Sequence, residues 1–112
     1  MKIEDDEIKL ALTSPDYDPS LVIVIHSPSN GTWSCAYATP LQAIAIMERM
    51  TALGHQEGGV SPAQCGDALR ELVANGKTAI VKYWTAPGRF EIILQGYDTE
   101  FLSELRSTVS FS

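Results

Sequence analysis

Residues 21 to 25 read Leu-Val-Ile-Val-Ile, a stretch whose β-branched composition makes it a strand. Successive side chains of a strand point to opposite sides, so Leu21, Ile23 and Ile25 share one face while Val22 and Val24 share the other. Both faces are apolar, and both must be kept from water. With 112 residues the chain is expected to form a single α+β domain over residues 1 to 112. The cover must therefore come from its own helices or from a second copy.

The strand runs on to His26 and Ser27 and faces a second segment, Thr32 to Ala38, that alternates Trp33, Cys35 and Tyr37 with smaller residues. Between them Asn30-Gly31 supplies the step that tolerates positive φ and closes a hairpin. A shift of 57 residues aligns VIVIHSPSNGTWSCAY with AIVKYWTAPGRFEIIL without a gap. That echo predicts a second hairpin, residues 78 to 85 and 89 to 95, turning at Ala86-Pro87-Gly88. Its core face is expected to carry Val81, Tyr83, Phe90, Ile92 and Leu94, and its outer face Lys82, Glu91 and Gln95.

Two helices lie between the hairpins. Thr39-Pro40-Leu41-Gln42 and Ser61-Pro62-Ala63-Gln64 each offer a hydroxyl N-cap, proline at the first helical position and a glutamine that can reach back to the cap. A glycine follows each cap by fifteen residues, at Gly54 and Gly76, where a left-handed residue would end the helix. A last helix is predicted from about Asp98 to Ser107, with Phe101, Leu102 and Leu105 inward and Arg106 outward. Residues 8 to 13, IKLALT, place Ile8, Leu10 and Leu12 in alternation and read as a strand, with a short helix as the competing reading.

The expected architecture is thus two β-hairpins in a four- to five-stranded, mainly antiparallel sheet with three helices packed on one face, in the order (β)ββα-α-ββα. That arrangement leaves Val22, Val24, Ile80, Trp84 and Ile93 facing outward, an apolar patch of the kind that marks an interface. A homodimer joined through sheet surface or sheet edge follows, the alternative being a monomer whose N-terminal segment covers the central strand.

Charge narrows the partners. Fourteen acids against eight bases give −6, and Glu4, Asp5, Asp6, Glu7, Asp16 and Asp18 concentrate it early. Residues 1 to 7 are expected to be a frayed acidic start. With the bases scattered, direct nucleic-acid binding is not expected. The longest apolar run falls far short of the roughly 18 residues of a membrane helix. Cys35 and Cys65 form no Cys-x-x-Cys pair and read as free thiols of a cytoplasmic protein.

The candidate chemistry is sparse. His26 and Cys35 fall close in sequence, but a Cys–His pair needs hydrogen-bond contact and a third, orienting group; at the hairpin mouth His26 is expected to meet Trp33. His55-Gln56-Glu57 followed by Pro62 and Cys65 is similar to fragments of the zinc deaminase signature but lacks the second cysteine, so no metal or cofactor is expected. Residues 54 to 59, GHQEGG, lack the lysine of a phosphate loop and read as a flexible connection between helices. No catalytic set is assembled. The favoured class is a non-enzymatic interaction module, a small acidic inhibitor or adaptor of the kind phages or mobile elements encode. It would present Asp5, Asp6, Tyr83, Trp84 and Arg89 to a protein partner with a basic surface. The alternative is a small-molecule binder with an aromatic-lined pocket using Trp33, Tyr37 and His26.

Overall fold

The structure, a computed structural model, describes residues 3 to 108. Its elements in chain order are helix α1 (Asp5–Leu12), strands β1 (Val22–Pro28) and β2 (Ser34–Ala38), helix α2 (Pro40–Met50) with a 3-10 turn over Thr51–Leu53, strand β3 (His55–Gly59), helix α3 (Pro62–Ala74), strands β4 (Lys77–Ala86) and β5 (Arg89–Asp98), and helix α4 (Thr99–Thr108). The five strands form one sheet in the order β2-β1-β4-β5-β3. Pairings β1–β2 and β4–β5 are antiparallel, whereas β1–β4 and β3–β5 are parallel. The fold is α+β as expected, and the sheet is mixed, with its two hairpins antiparallel and its two other pairings parallel.

The two-faced strand is covered from within the chain. Val22 and Val24, with Ala79, Val81, Phe90 and Ile92, pack against Ala43, Ile44 and Met47 of α2 and Cys65 and Leu69 of α3. Ile23, Ile25 and Ile80 pack on the other side against Ile8, Ala11 and Leu12 of α1 and Leu102 of α4. Helices therefore lie two on each face, which corrects the expectation of three on one. The outward patch does not form either, since Val22, Val24 and Ile80 are 1%, 3% and 0% exposed. A sheet-surface dimer loses its physical reason.

The segment that supplies the missing layer is the one read as a strand. In α1 the buried residues are Glu7, Ile8, Ala11 and Leu12, spaced as one helical face, while Leu10 is 58% exposed. Strand alternation and helical spacing agree on Ile8 and Leu12 and part only at Leu10 and Ala11. Three acids in the first turn, Asp5, Asp6 and Glu7, suit the positive end of the helix. The acidic run expected to fray thus forms that turn, and Glu7 is buried beneath it. The Glu7 carboxylate accepts from the Glu4 amide at 3.0 Å and lies 2.6 Å from the Lys82 ammonium. Lys82, assigned to an outer face, is 5% exposed.

Helices α2 and α3 begin as their sequences specify. The Thr39 and Ser61 hydroxyls accept from the amides of Gln42 and Gln64 at 3.2 and 3.1 Å, and both glutamine side chains return a hydrogen bond to the cap amide at 3.0 Å. The displacement of 57 residues is the register of the parallel β1–β4 pair, Ile23 beside Ile80 and His26 beside Tyr83. The partner strands β2 and β5 lie on opposite sides of that pair, so the hairpins open away from each other.

Residues 55 to 59 are a second correction. They form edge strand β3 along β5, with a register shift between Gln56 and Gly58. Glycine permits it: a Cβ at Gly59 would overlap the Ile92 carbonyl, and one at Gly54 the Gly88 carbonyl. The last helix differs in facing, because Phe101 is exposed while Arg106 turns inward and donates from Nε to the Leu12 carbonyl at 2.9 Å.

Candidate functional site

Parallel strands β1 and β4 end side by side, each running into its hairpin turn. A cleft of about 590 Å3 opens there. His26, Pro28, Ser29 and Asn30 come from β1 and its turn, Tyr83, Thr85, Ala86 and Pro87 from β4 and its turn, and Met50 and Leu53 from the end of α2 and the 3-10 turn. The rigid floor is the strand pair, and the apolar wall is the helix end.

The floor carries the polar chemistry. His26 and Tyr83, neighbours in register, stack with ring centroids 4.4 Å apart and planes 12° from parallel. His26 Nε2 lies 2.8 Å from the Thr85 hydroxyl, the only hydrogen bond its side chain makes among the described residues. Burial pushes the His26 pKa below its ordinary value, so the imidazole is neutral near pH 7. Burial pushes the Tyr83 phenol upward, partly offset by the nearby Arg49 guanidinium. The site thus offers a neutral imidazole, an aliphatic hydroxyl and a phenol inside apolar walls.

The cysteines stand outside this chemistry. Cys35 lies opposite Ile25 and packs with the α1/α4 layer, whereas His26 faces the α2/α3 side. A Cys–His pair is therefore precluded by strand alternation. Burial raises the Cys35 thiol pKa and pushes that of Cys65 up to about 11, which leaves both protonated and poorly nucleophilic. Among the described residues no group of three or more histidine, cysteine or acidic side chains is placed to hold a metal ion.

The residues singled out from sequence are distributed as follows. His26 lies opposite Ser34, not against Trp33. Trp33 and Tyr37 pack toward the α1/α4 layer, and the Tyr37 hydroxyl donates to the Ala11 carbonyl. The proposed trio of Trp33, Tyr37 and His26 is thus split between two faces of the sheet. The partner-binding set divides as well. Tyr83 lines the cleft, whereas Arg89 lies over the Trp84 ring at 5.3 Å and pairs with Glu57 at 3.4 Å. Asp5 and Asp6 are exposed on the first turn of α1.

Thr85, Met50 and Leu53 were not singled out. A signal for the floor existed in the echo between the hairpins, because the displacement that aligns them sets His26 on Tyr83. Comparison of this chain with protein-family models, with curated proteins and with solved structures finds no match. No described helix is long and apolar enough to cross a membrane.

Proposed function

We propose that the protein is a non-enzymatic binding module that holds a small, flat, largely apolar molecule in the cleft at the ends of β1 and β4. The observation that carries this reading is the stacked His26–Tyr83 pair, tied to Thr85, on the floor of an apolar-walled cleft. Small-ligand sites commonly enclose about 300 to 1,000 Å3 and combine apolar walls with a few convergent polar groups. A flat ring could slide against Met50, Leu53 and Pro87 and take one hydrogen bond from the floor. The neutral imidazole favours an uncharged ligand over an anion.

Binding is preferred to catalysis because His26 has a hydroxyl partner but no third group to orient it, the arrangement by which an activated nucleophile and its base are recognised. The acidic inhibitor or adaptor surface is the weaker reading. Arg89 is already engaged by Glu57 and Trp84, and Tyr83 leaves the sheet by the opposite face.

The test is a protein-detected NMR titration against nucleobases, indoles and substituted phenols. Amide shifts concentrated at His26, Leu53, Tyr83 and Thr85 are expected for at least one class, with a raised melting temperature. Tyr83→Ala should weaken that binding about tenfold or more, the equivalent of about 1.4 kcal/mol. Shifts scattered elsewhere, or none in any class, would remove the proposal.

A further inference from the structure

The sheet order leaves two edges, β2 and β3, and only one of them is defended. Exposed edges invite pairing with another chain unless bulges, charges or proline interrupt them. Strand β3 has its register shift and carries Glu57. Strand β2 has none of these devices. Its residues Ser34 to Ala38 carry no charge and no proline, and they pair with β1 without irregularity from His26–Ser34 to Val22–Ala38.

Two further features converge on that edge. Residues 21 to 47, which contain β1, β2 and most of α2, hold no lysine, arginine, aspartate or glutamate in a chain of net charge −6. A protein with that charge repels its own copies, so self-contact is cheapest at this neutral zone. The two most exposed of the large apolar side chains belong to helices that touch β2, Leu41 of α2 at 75% and Leu10 of α1 at 58%. Leu41 is in the first turn of α2, three residues beyond the end of β2, and Leu10 adjoins Ala11, whose carbonyl receives the Tyr37 hydroxyl.

We infer that two copies of this chain associate edge to edge through β2, antiparallel about a two-fold axis at Ala36, to form one continuous ten-stranded sheet. This proposal is independent of the cleft. Ala36 lies opposite its own copy, Ser34 opposite the partner's Ala38, and Cys35 opposite the partner's Tyr37. Small side chains meet on one face and a thiol meets an aromatic ring on the other. Pro40, which has no amide hydrogen, ends the ladder. So short a ladder is modest beside the roughly 800 Å2 per copy of a standard interface, and Leu10 and Leu41 widen it on its two faces.

The experiment is sedimentation equilibrium of the intact protein over a concentration series. Wild type should reach twice the 12.2 kDa of one chain. Ala36→Lys sets like charges directly opposite each other and should weaken association at least tenfold while leaving the circular dichroism spectrum unchanged. Because a lysine could also perturb the strand, Ala36→Cys supplies the second reading. Directly opposed Cα atoms stand about 4.5 to 5.5 Å apart, within the roughly 4.4 to 6.8 Å that a disulfide spans, so mild oxidation should give a covalent dimer from this variant and none from wild type. A monomer at every concentration, a dimer indifferent to Ala36→Lys, or no cross-link through Ala36→Cys would each overturn the proposal.

Discussion

The α2/α3 layer meets the sheet through apolar side chains, whereas the α1/α4 layer takes in every buried polar side chain found among the described residues: Glu7, Thr78 and Lys82. On that second side Thr78 shares a hydroxyl contact of 3.0 Å with Thr99 at the start of α4, and Lys82 meets Glu7. Arg106 donates to the last turn of α1 and lies over the Tyr17 ring at 4.8 Å. The first layer is placed by non-directional burial together with caps written into its own sequence. The second also buries apolar side chains but adds directional contacts between segments far apart in the chain. Polar contacts of this kind add specificity more readily than net stability, because each ion pays desolvation before it gains its partner.

That difference is open to attack, and the largest effect is expected at Lys82. Lys82→Met leaves the buried Glu7 carboxylate without its cation and should cost about 3 to 5 kcal/mol in urea denaturation. Amide exchange should then accelerate in α1 before it does in α2 or α3. The double variant Glu7→Leu/Lys82→Met removes both charges and should recover most of the loss. A single variant costing less than about 1 kcal/mol would show that α1 does not depend on the pair.

A smaller effect is expected in the opposite layer. Thr39→Ala and Ser61→Ala each delete one cap and should cost about 1 kcal/mol, nearly additive because the two caps are independent. Strong coupling between them in a double-mutant cycle would mean that α2 and α3 are set by each other rather than by their own ends.

The smallest effect concerns pH and the cleft. His26 has a folded pKa below its ordinary 6.5, so on acidification the unfolded chain takes up the proton first. Stability is intact above the ordinary value and falls as pH drops below it. Wild type should therefore lose more melting temperature than His26→Gln on going from about pH 7.5 to about pH 5.5. Equal losses would show that burial of the imidazole contributes nothing to folding.

Much of the α2/α3 layer was legible because its signals are local. The hydroxyl–proline–glutamine starts act within four residues, and Gly76 takes the left-handed φ of 71° just after α3. Both hairpin turns were legible for the same reason. Helix α1 was not, because IKLAL, residues 8 to 12, satisfies two periodicities except at Leu10 and Ala11, and the choice rests on what lies below them. Strand β3 was hidden by its glycines, which resemble a flexible loop until β5 approaches closely enough to exclude a Cβ. The cleft was half legible: His26 and Tyr83 were each singled out, but their meeting required the register of two strands that no turn joins.

The sequence by itself determined that a strand apolar on both faces had to be buried on both, and it marked the turns and helix starts that surround it. Tertiary structure alone decided which segments provide the cover. Lys82 meets Glu7 across 75 residues and Arg106 meets Leu12 across 94. Capping and turn chemistry act within one turn of chain, whereas these partners are brought together only by the packing that they then help to hold.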